Sequence, residues 1–266
     1  MNQTTLLPLE NKTIMVTRPA HQAEQLISLL EQAGANVICQ PLIEICAIEK
    51  PASAVELVKT LSQTDIIIFI SQNAVTHGIN LIKQHGSLPA QLKLAAVGAG
   101  SARLLEQLAN RAVDIVPQEN FNSEGLLAHP ELQNVSDKNI IIFRGIGGRN
   151  LLADTLRERG ANVHYAEVYQ RKVPEIDCQQ LAAQWQKQPV DAICITSGEG
   201  LENLVSAIRK KTTPSQFRAD ILGSQLVIVN KRLEPLVTKS GFTKRPIITD
   251  NVSDKAIVDA IIKTTH

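Results

Sequence analysis

At 266 residues the chain is long enough for two ordinary cores, and its 44% of hydrophobic residues can fill them. Its 27 basic and 26 acidic residues leave a formal charge of +1, which excludes the basic excess of a nucleic-acid binder, and 20% of charged residues of mixed sign excludes a disordered chain. Aromatic residues make up only 3%, so the cores must be aliphatic.

The first predicted elements form a strand, a loop, a helix and a strand. Thr13 to Thr17 is a short β-rich run broken by Arg18-Pro19. From His21 to Ala33 the apolar residues Ala23, Leu26, Ile27, Leu30 and Ala33 recur at helical spacing. Gly34 stands where a helix ends in the left-handed conformation, and Val37 to Cys39 resumes as a strand. Ile43 to Ala52 is a connection, and Asp65 to Ser71 is a buried-type strand followed by a helix. Leu94 to Gly98 is a further strand, and Pro117 to Ser136 is a polar, irregular surface segment. Asn139 to Phe143 is the next strand, Arg144 to Gly148 its loop, and Asn150 to Arg159 a helix closed by Gly160. Tyr169 to Ile176 connects onward to strands at Asp191 to Ser197 and Leu226 to Asn230.

These elements repeat. Ile14–Val37 and Ile140–Val163 lie 126 residues apart and share eight of 24 positions without a gap, ending in GANV in both. Chance gives roughly one or two, so the chain carries an internal duplication. The same offset relates Asp65–Ser71 to Asp191–Ser197. Continuously apolar strands alternating with helices indicate parallel sheets covered on both faces. The expected fold is α/β, with two similar parallel-sheet lobes whose strand-end loops face one shared ligand cleft.

The densest apolar run, Ile66 to Ile70, falls far short of the ~20 residues that span a bilayer. Met1 to Lys12 lacks the basic start and apolar stretch of a signal peptide, so a soluble cytoplasmic protein is expected. Cys39, Cys46, Cys178 and Cys194 have no CxxC spacing and read as buried thiols. With scattered histidines and no HExxH, no metal site is expected.

Ligands of open parallel sheets bind beyond the carboxyl ends of the strands. That rule selects Thr17-Arg18-Pro19, Ser71-Gln72-Asn73, Gly98 to Ser101, Arg144 to Gly148 and Thr196-Ser197-Gly198. Each precedes a predicted helix, whose N-terminal amides favour carboxylate or phosphate. Arg18, Arg144 and Arg149 suit bidentate carboxylate pairing. The same Ser, Thr and Asn residues are also ordinary helix caps, and the arginines are also ordinary surface cations. GAGSAR from Gly98 and GIGGRN from Gly145 lack the third glycine of a dinucleotide fingerprint, and no GxxxxGK[ST] occurs. His21 and His77 stand near strand ends, where capping competes with an acid role, and Trp185 reads as a core or helix-face residue. Tyr169, in VYQR, is either a hydrogen-bond or proton donor or plain packing.

Taken in order, VTRP (Val16 to Pro19), LxxxGAxV ending at Val37, FISQNAV (Phe69 to Val75) and AVGAGSA (Ala96 to Ala102) resemble the uroporphyrinogen-III synthases. RGIGGRNLLADTLRERGANV (Arg144 to Val163), VYQR (Val168 to Arg171) and ITSGEGL (Ile195 to Leu201) extend the resemblance over nearly the whole chain. One loop departs from it, reading Asn230-Lys231-Arg232-Leu233-Glu234 where the family often has Gly-Pro-x-Thr-Ala.

The resemblance implies two flavodoxin-like lobes joined by a two-stranded connection. It places 1–39 with 172–266 in one lobe, 46–166 in the other, and 40–45 and 167–171 in the connecting strands. It implies a lyase that cyclises hydroxymethylbilane, a linear tetrapyrrole with eight carboxylates, to uroporphyrinogen III with loss of water and inversion of ring D. No metal or organic cofactor is implied, and the family is typically monomeric. Tyr169 matches the family's functionally important tyrosine. Thr17, Arg18, Ser71, Asn73, Gly98, Ser101, Arg144, Gly145, Gly147, Thr196, Ser197 and Gly198 are the expected substrate-binding residues. The competing class is a two-lobed cytoplasmic protein that binds a small anion without transforming it.

Overall fold

The computed structural model describes residues 7–265. Met1–Leu6, part of the stretch read as lacking a signal peptide, and His266 lie outside the described residues. In chain order the elements are β1 (Thr13–Val16), α1 (Ala20–Gln32), β2 (Asn36–Cys39), β3 (Glu44–Ala47), α2 (Ala52–Lys59), β4 (Ile66–Phe69), α3 (Gln72–His85) and β5 (Lys93–Ala96). They continue with α4 (Ala99–Ala109), α5 (Ser123–Leu127), β6 (Asn139–Gly145), α6 (Leu151–Glu158), β7 (Asn162–Lys172), α7 (Cys178–Lys187), β8 (Ala192–Ile195) and α8 (Gly198–Ile208). The last are α9 (Ser215–Leu222), β9 (Gln225–Ile228), α10 (Glu234–Ser240), β10 (Ile247–Ile248) and α11 (Asp254–Thr265). The chain divides into two units, Met1–Glu44 with Lys172–His266, and Ile45–Arg171.

The first unit holds a sheet of order β10-β9-β8-β1-β2. Its neighbours pair in parallel, with Val16 opposite Cys39 on one side and Cys194 on the other. Numbered within the unit the order is 2-1-3-4-5, the flavodoxin-like arrangement. In β1 the side chains alternate between two apolar layers, Met15 into one, Ile14 and Val16 into the other. A helical layer on each face is why strands such as TIMV and AICI carry no polar alternation.

The second unit holds a sheet of order β3-β7-β6-β4-β5. Ile66 and Ile68 face one apolar layer, and Ile67 and Phe69 the other. The order β7-β6-β4-β5 reproduces β2-β1-β8-β9 strand for strand. Each unit therefore combines one βαβ module from the first sequence repeat with one from the second, so the repeats of the sequence and the bodies in space do not coincide. The duplicated caps agree as well: Gly34 and Gly160, just past α1 and α6, have φ of +96° and +86°.

Two expectations are corrected. Pro117 to Ser136 is not merely a surface segment: it forms α5 and buries Leu126, Leu127, Leu132 and Val135 in the layer under β4 and β6. Four apolar residues hold it there, too irregularly spaced to signal a helix. Nor are all four cysteines buried; Cys39 is exposed and Cys46 half-buried, while Cys178 and Cys194 lie inside. Trp185 is a core residue, meeting Phe217 edge-on with ring centroids 5.5 Å apart.

α3 crosses the middle of the second sheet at Gly78, above Phe69 and Phe143, whose rings stack with centroids 4.8 Å apart. A methyl group on Gly78 would lie 2.7 Å from Phe143 Cδ1 and 2.8 Å from Phe69 Cε1. Both rings are fully buried and have nowhere to retreat. Gly78→Ala is therefore expected to destabilise the protein by about 1–3 kcal/mol, read as a shift in chemical-denaturation midpoint.

Candidate functional site

A 2-1-3-4-5 sheet has its ligand crevice where the chain switches direction, beyond the carboxyl ends of its strands 1 and 3. In the second unit the repeat equivalents of those strands are β6 and β4, from which the chain runs outward in opposite directions and whose following loops begin at Ile146 and Ile70. Tyr169 arrives at this point through a defect in the ladder. Phe143 pairs with Ala166 and Arg144 with Glu167, but Gly145 pairs with Tyr169, skipping Val168. Strict alternation would send Val168 and Tyr169 to opposite faces. The bulge instead leaves both in the layer beneath α3, re-aiming the tyrosine.

The ring of Tyr169 is 4% exposed. It lies against Gly145, where a methyl group would come within 2.6 Å of Cε2 and Cζ. His77 of α3 stacks on it at 5.8 Å between centroids and 25° between planes. The phenol oxygen lies 3.2 Å from Ser71 Oγ, which also accepts the Ala74 N–H at 3.1 Å as the N-cap of α3. Tyr169, Ser71, Gly145 and His77 thus meet at one switch point. The neighbouring loop is close, because the Gln72 amide leans over Gly100 at the start of α4, while the position at Gly98 opens on empty space.

Arg144 is turned the other way. It is 3% exposed, with Nε donating to Gly145 O at 3.2 Å, Nη1 donating to Asn150 Oδ1 at 3.3 Å, and its guanidinium 4.4 Å over the Tyr165 ring. Expected as a ligand group, it instead fastens the loop 145–150 to the sheet from the face opposite Tyr169. That loop carries Gly147 and Gly148 at φ of +78° and +100°, with open space beside Gly147. Arg149 stands on the surface, paired with Glu124 at 2.9 Å.

In the first unit the switch point falls between β1 and β8. Thr17 is buried and donates to Cys194 O at 2.6 Å, so its hydroxyl tethers the two strands rather than facing solvent. Arg18 forms an ion pair with Asp254 at the start of α11, both side chains about 15% exposed. Ser197 caps α8 by accepting the Gly200 N–H at 3.0 Å, and Thr196 and Gly198 are half-buried beside it. Ser101, in the second unit, is buried within α4, and Asn73 is half-buried in the first turn of α3. Burial pushes the Cys194 thiol up to about 12 against the opposing pull of Arg18, which keeps it an unreactive thiol at neutral pH.

The sequence did not single out the stacking of His77, the Gln72 lean or the Asp254 partner. Asp254 left only a helix-start pattern, Ser253 followed by an acidic first turn. Among the described residues, no group of three or more metal-ligating side chains gathers, and no helix is long and apolar enough to cross a membrane.

Fold and site together define a duplicated α/β protein of flavodoxin-like sheets, with polar loops at two switch points and a tyrosine hydroxyl at one of them. The model of the uroporphyrinogen-III synthase HemD family matches residues 24–227. The uroporphyrinogen-III synthase of Escherichia coli K12 is 33% identical over 251 residues, covering 94% of this chain and 99% of that one. That of Proteus mirabilis is 34% identical over 198 residues, covering 73% and 98%. The chain belongs to the uroporphyrinogen-III synthase family. Crystal structures of a mutant synthase from Thermus thermophilus (20% identity, 96% of this chain and 100% of that one, TM-score 0.60) and of the Helicobacter pylori enzyme (13%, 95% and 99%, TM-score 0.57) share its fold.

Proposed function

We propose that the protein converts hydroxymethylbilane to uroporphyrinogen III, as a monomer in the cytoplasm and without metal or organic cofactor. The observation that carries this reading is the kinship with a synthase over 94% of the chain. The convergence of Tyr169, Ser71 and Gly145 at a switch point supports the assignment of its chemistry.

Tyr169 is the acid. The C–O bond at the hydroxymethyl carbon of ring A breaks, its electron pair leaves with the oxygen, and that oxygen takes the phenol proton to depart as water. The ring nitrogen lone pair stabilises the cation left behind. The substituted carbon of ring D attacks, the spiro intermediate fragments, and ring D recloses in reverse. The hydrogen lost from ring D on closure returns as a proton to the phenolate, so the cycle balances with water as the only by-product.

The linear substrate also closes unaided to the uninverted isomer, so the protein's main task is geometric. Its eight carboxylate arms need many donors. Within the second unit the amides at the starts of α3 and α4, Asn73 and the open loop at Gly147 are donors of this kind, and within the first the start of α8, Ser197 and Thr196 are. Arg18, though paired with Asp254, adds a cation, and Lys231 and Arg232 stand exposed on the turn after β9. Thr17, Ser101 and Arg144 act from inside, by shaping the loops that bind.

The test is incubation with fresh hydroxymethylbilane, followed by oxidation and separation of the isomers. Type III product well above the no-protein control is expected. An isomer ratio equal to that control overturns the reading.

A further inference from the structure

We propose that Ser71 is the residue that orients the catalytic proton: it donates its own hydroxyl hydrogen to the Tyr169 oxygen and so leaves the phenol hydrogen directed at the substrate. This rests on the acid role proposed for Tyr169 and adds a positioning residue to it.

The distance alone allows either hydroxyl to donate; the run of bonds from the Ala74 amide, together with the acid role of Tyr169, selects Ser71 as the donor. A serine hydroxyl has one hydrogen to give and two lone pairs to receive. Ser71 Oγ receives the Ala74 N–H at 3.1 Å and lies 3.2 Å from Tyr169 Oη, and neither hydroxyl has another protein partner among the described residues. If the phenol donated, Ser71 would accept twice and its hydrogen would have no protein acceptor, while the acid's proton would be turned inward. If Ser71 donates, the bonds run in one direction, from the Ala74 amide through the serine to the phenol oxygen, each strengthening the next. The chain starts at the N-terminus of the 14-residue helix α3, whose positive end favours the negative charge that appears on Tyr169 once its proton has left.

The duplication supplies an internal comparison. Ser197 occupies the repeat position of Ser71 and caps α8 through the Gly200 N–H in the same way. The residue 126 positions before Tyr169 is Ile43, which has no hydroxyl. Capping is therefore common to both serines, and the bond to a phenol belongs to Ser71 alone.

The experiment separates capping from proton orientation. Ser71→Asp keeps an N-cap of equal quality but can only accept, so it draws the phenol hydrogen toward itself. Expected are a denaturation midpoint and KM near those of the unmodified protein, a kcat reduced about 10- to 100-fold, and a larger share of type I isomer. Ser71→Thr, which caps and donates, retains kcat. In a Tyr169→Phe background Ser71→Asp costs nothing further. A folded S71D protein with unchanged kcat, or an S71D loss that persists in full beside Y169F, overturns the proposal. If S71D does not fold, Ser71→Ala in the two backgrounds makes the same comparison, with the same outcomes. Type III formation by the unmodified protein is measured alongside. Its absence defeats the synthase reading, whereas its presence with an indifferent S71D defeats only the role of Ser71.

Discussion

Tyr169→Phe is expected to fold normally and to lose about 100-fold or more in kcat, with the product that still forms shifted toward the type I isomer. The ring's packing does not depend on its oxygen: Gly145 lies against one part of it and His77 stacks on a face, and phenylalanine keeps both contacts. The change removes one hydrogen bond, to Ser71, worth about 1 kcal/mol, and leaves the Ala74 cap in place. Stability should therefore move little. Activity should move a great deal, because a positioned acid contributes roughly 10²- to 10⁴-fold. KM should hold, since the carboxylate arms bind elsewhere. The unaided closure, which needs no protein, then competes for the substrate. Steady-state kinetics with isomer analysis, set beside a denaturation curve, checks all three. A Phe variant with full kcat would remove tyrosine from the acid role.

Gly145→Ala is expected to damage both stability and rate while leaving every hydroxyl of the site in place. The backbone at Gly145 is ordinary strand, so the obstacle is the Tyr169 ring, 2.6 Å from where the methyl would stand. That ring is 4% exposed and wedged beneath α3, so it cannot swing clear without disturbing the Ser71 contact. Overpacking of this kind costs about 1–3 kcal/mol. A displacement near ~1 Å of a group that must meet a leaving oxygen costs on the order of 10²-fold in rate. Combining G145A with Tyr169→Ala, which vacates the space, should restore part of the lost midpoint and none of the rate. If G145A alone leaves kcat intact, the glycine is not what holds the tyrosine in position.

Much of this architecture was legible in the residues. The continuous runs TIMV, IIIF and AICI announced strands covered on both faces, and the repeated GANV marked the same helix exit twice. Those signals are local, set by side-chain period and by a glycine that must enter the left-handed region. What stayed hidden depends on contacts across the chain. The bulge that re-aims Tyr169 is a mismatch of register between β6 and β7, and nothing in VYQR declares it. Arg144 and Arg18 sit at equivalent repeat positions and look alike in sequence. One stacks on Tyr165 inside its unit and the other pairs with Asp254, 236 residues away, because their partners come from different elements. His77 looked like a surface or capping histidine until the helix phase, set by Gly78 lying on two phenylalanines, turned it onto the tyrosine.

The interleaved course of the chain also sets an order of assembly during synthesis. β1 finds one neighbour, β2, within a single βαβ module, but its other neighbour, β8, begins only at Ala192. When Arg171 has left the ribosome, everything from Ile45 onward can close around its own sheet, whereas the earlier module still lacks most of its apolar layers. The inserted body is thus free to mature first. The amino-terminal module must wait for β8, with one flank of β1 unpaired, while translation proceeds at about 5–20 residues per second. Any nascent chain stalled in that interval exposes a bare parallel edge, the kind of surface that chaperones cover and that aggregates recruit.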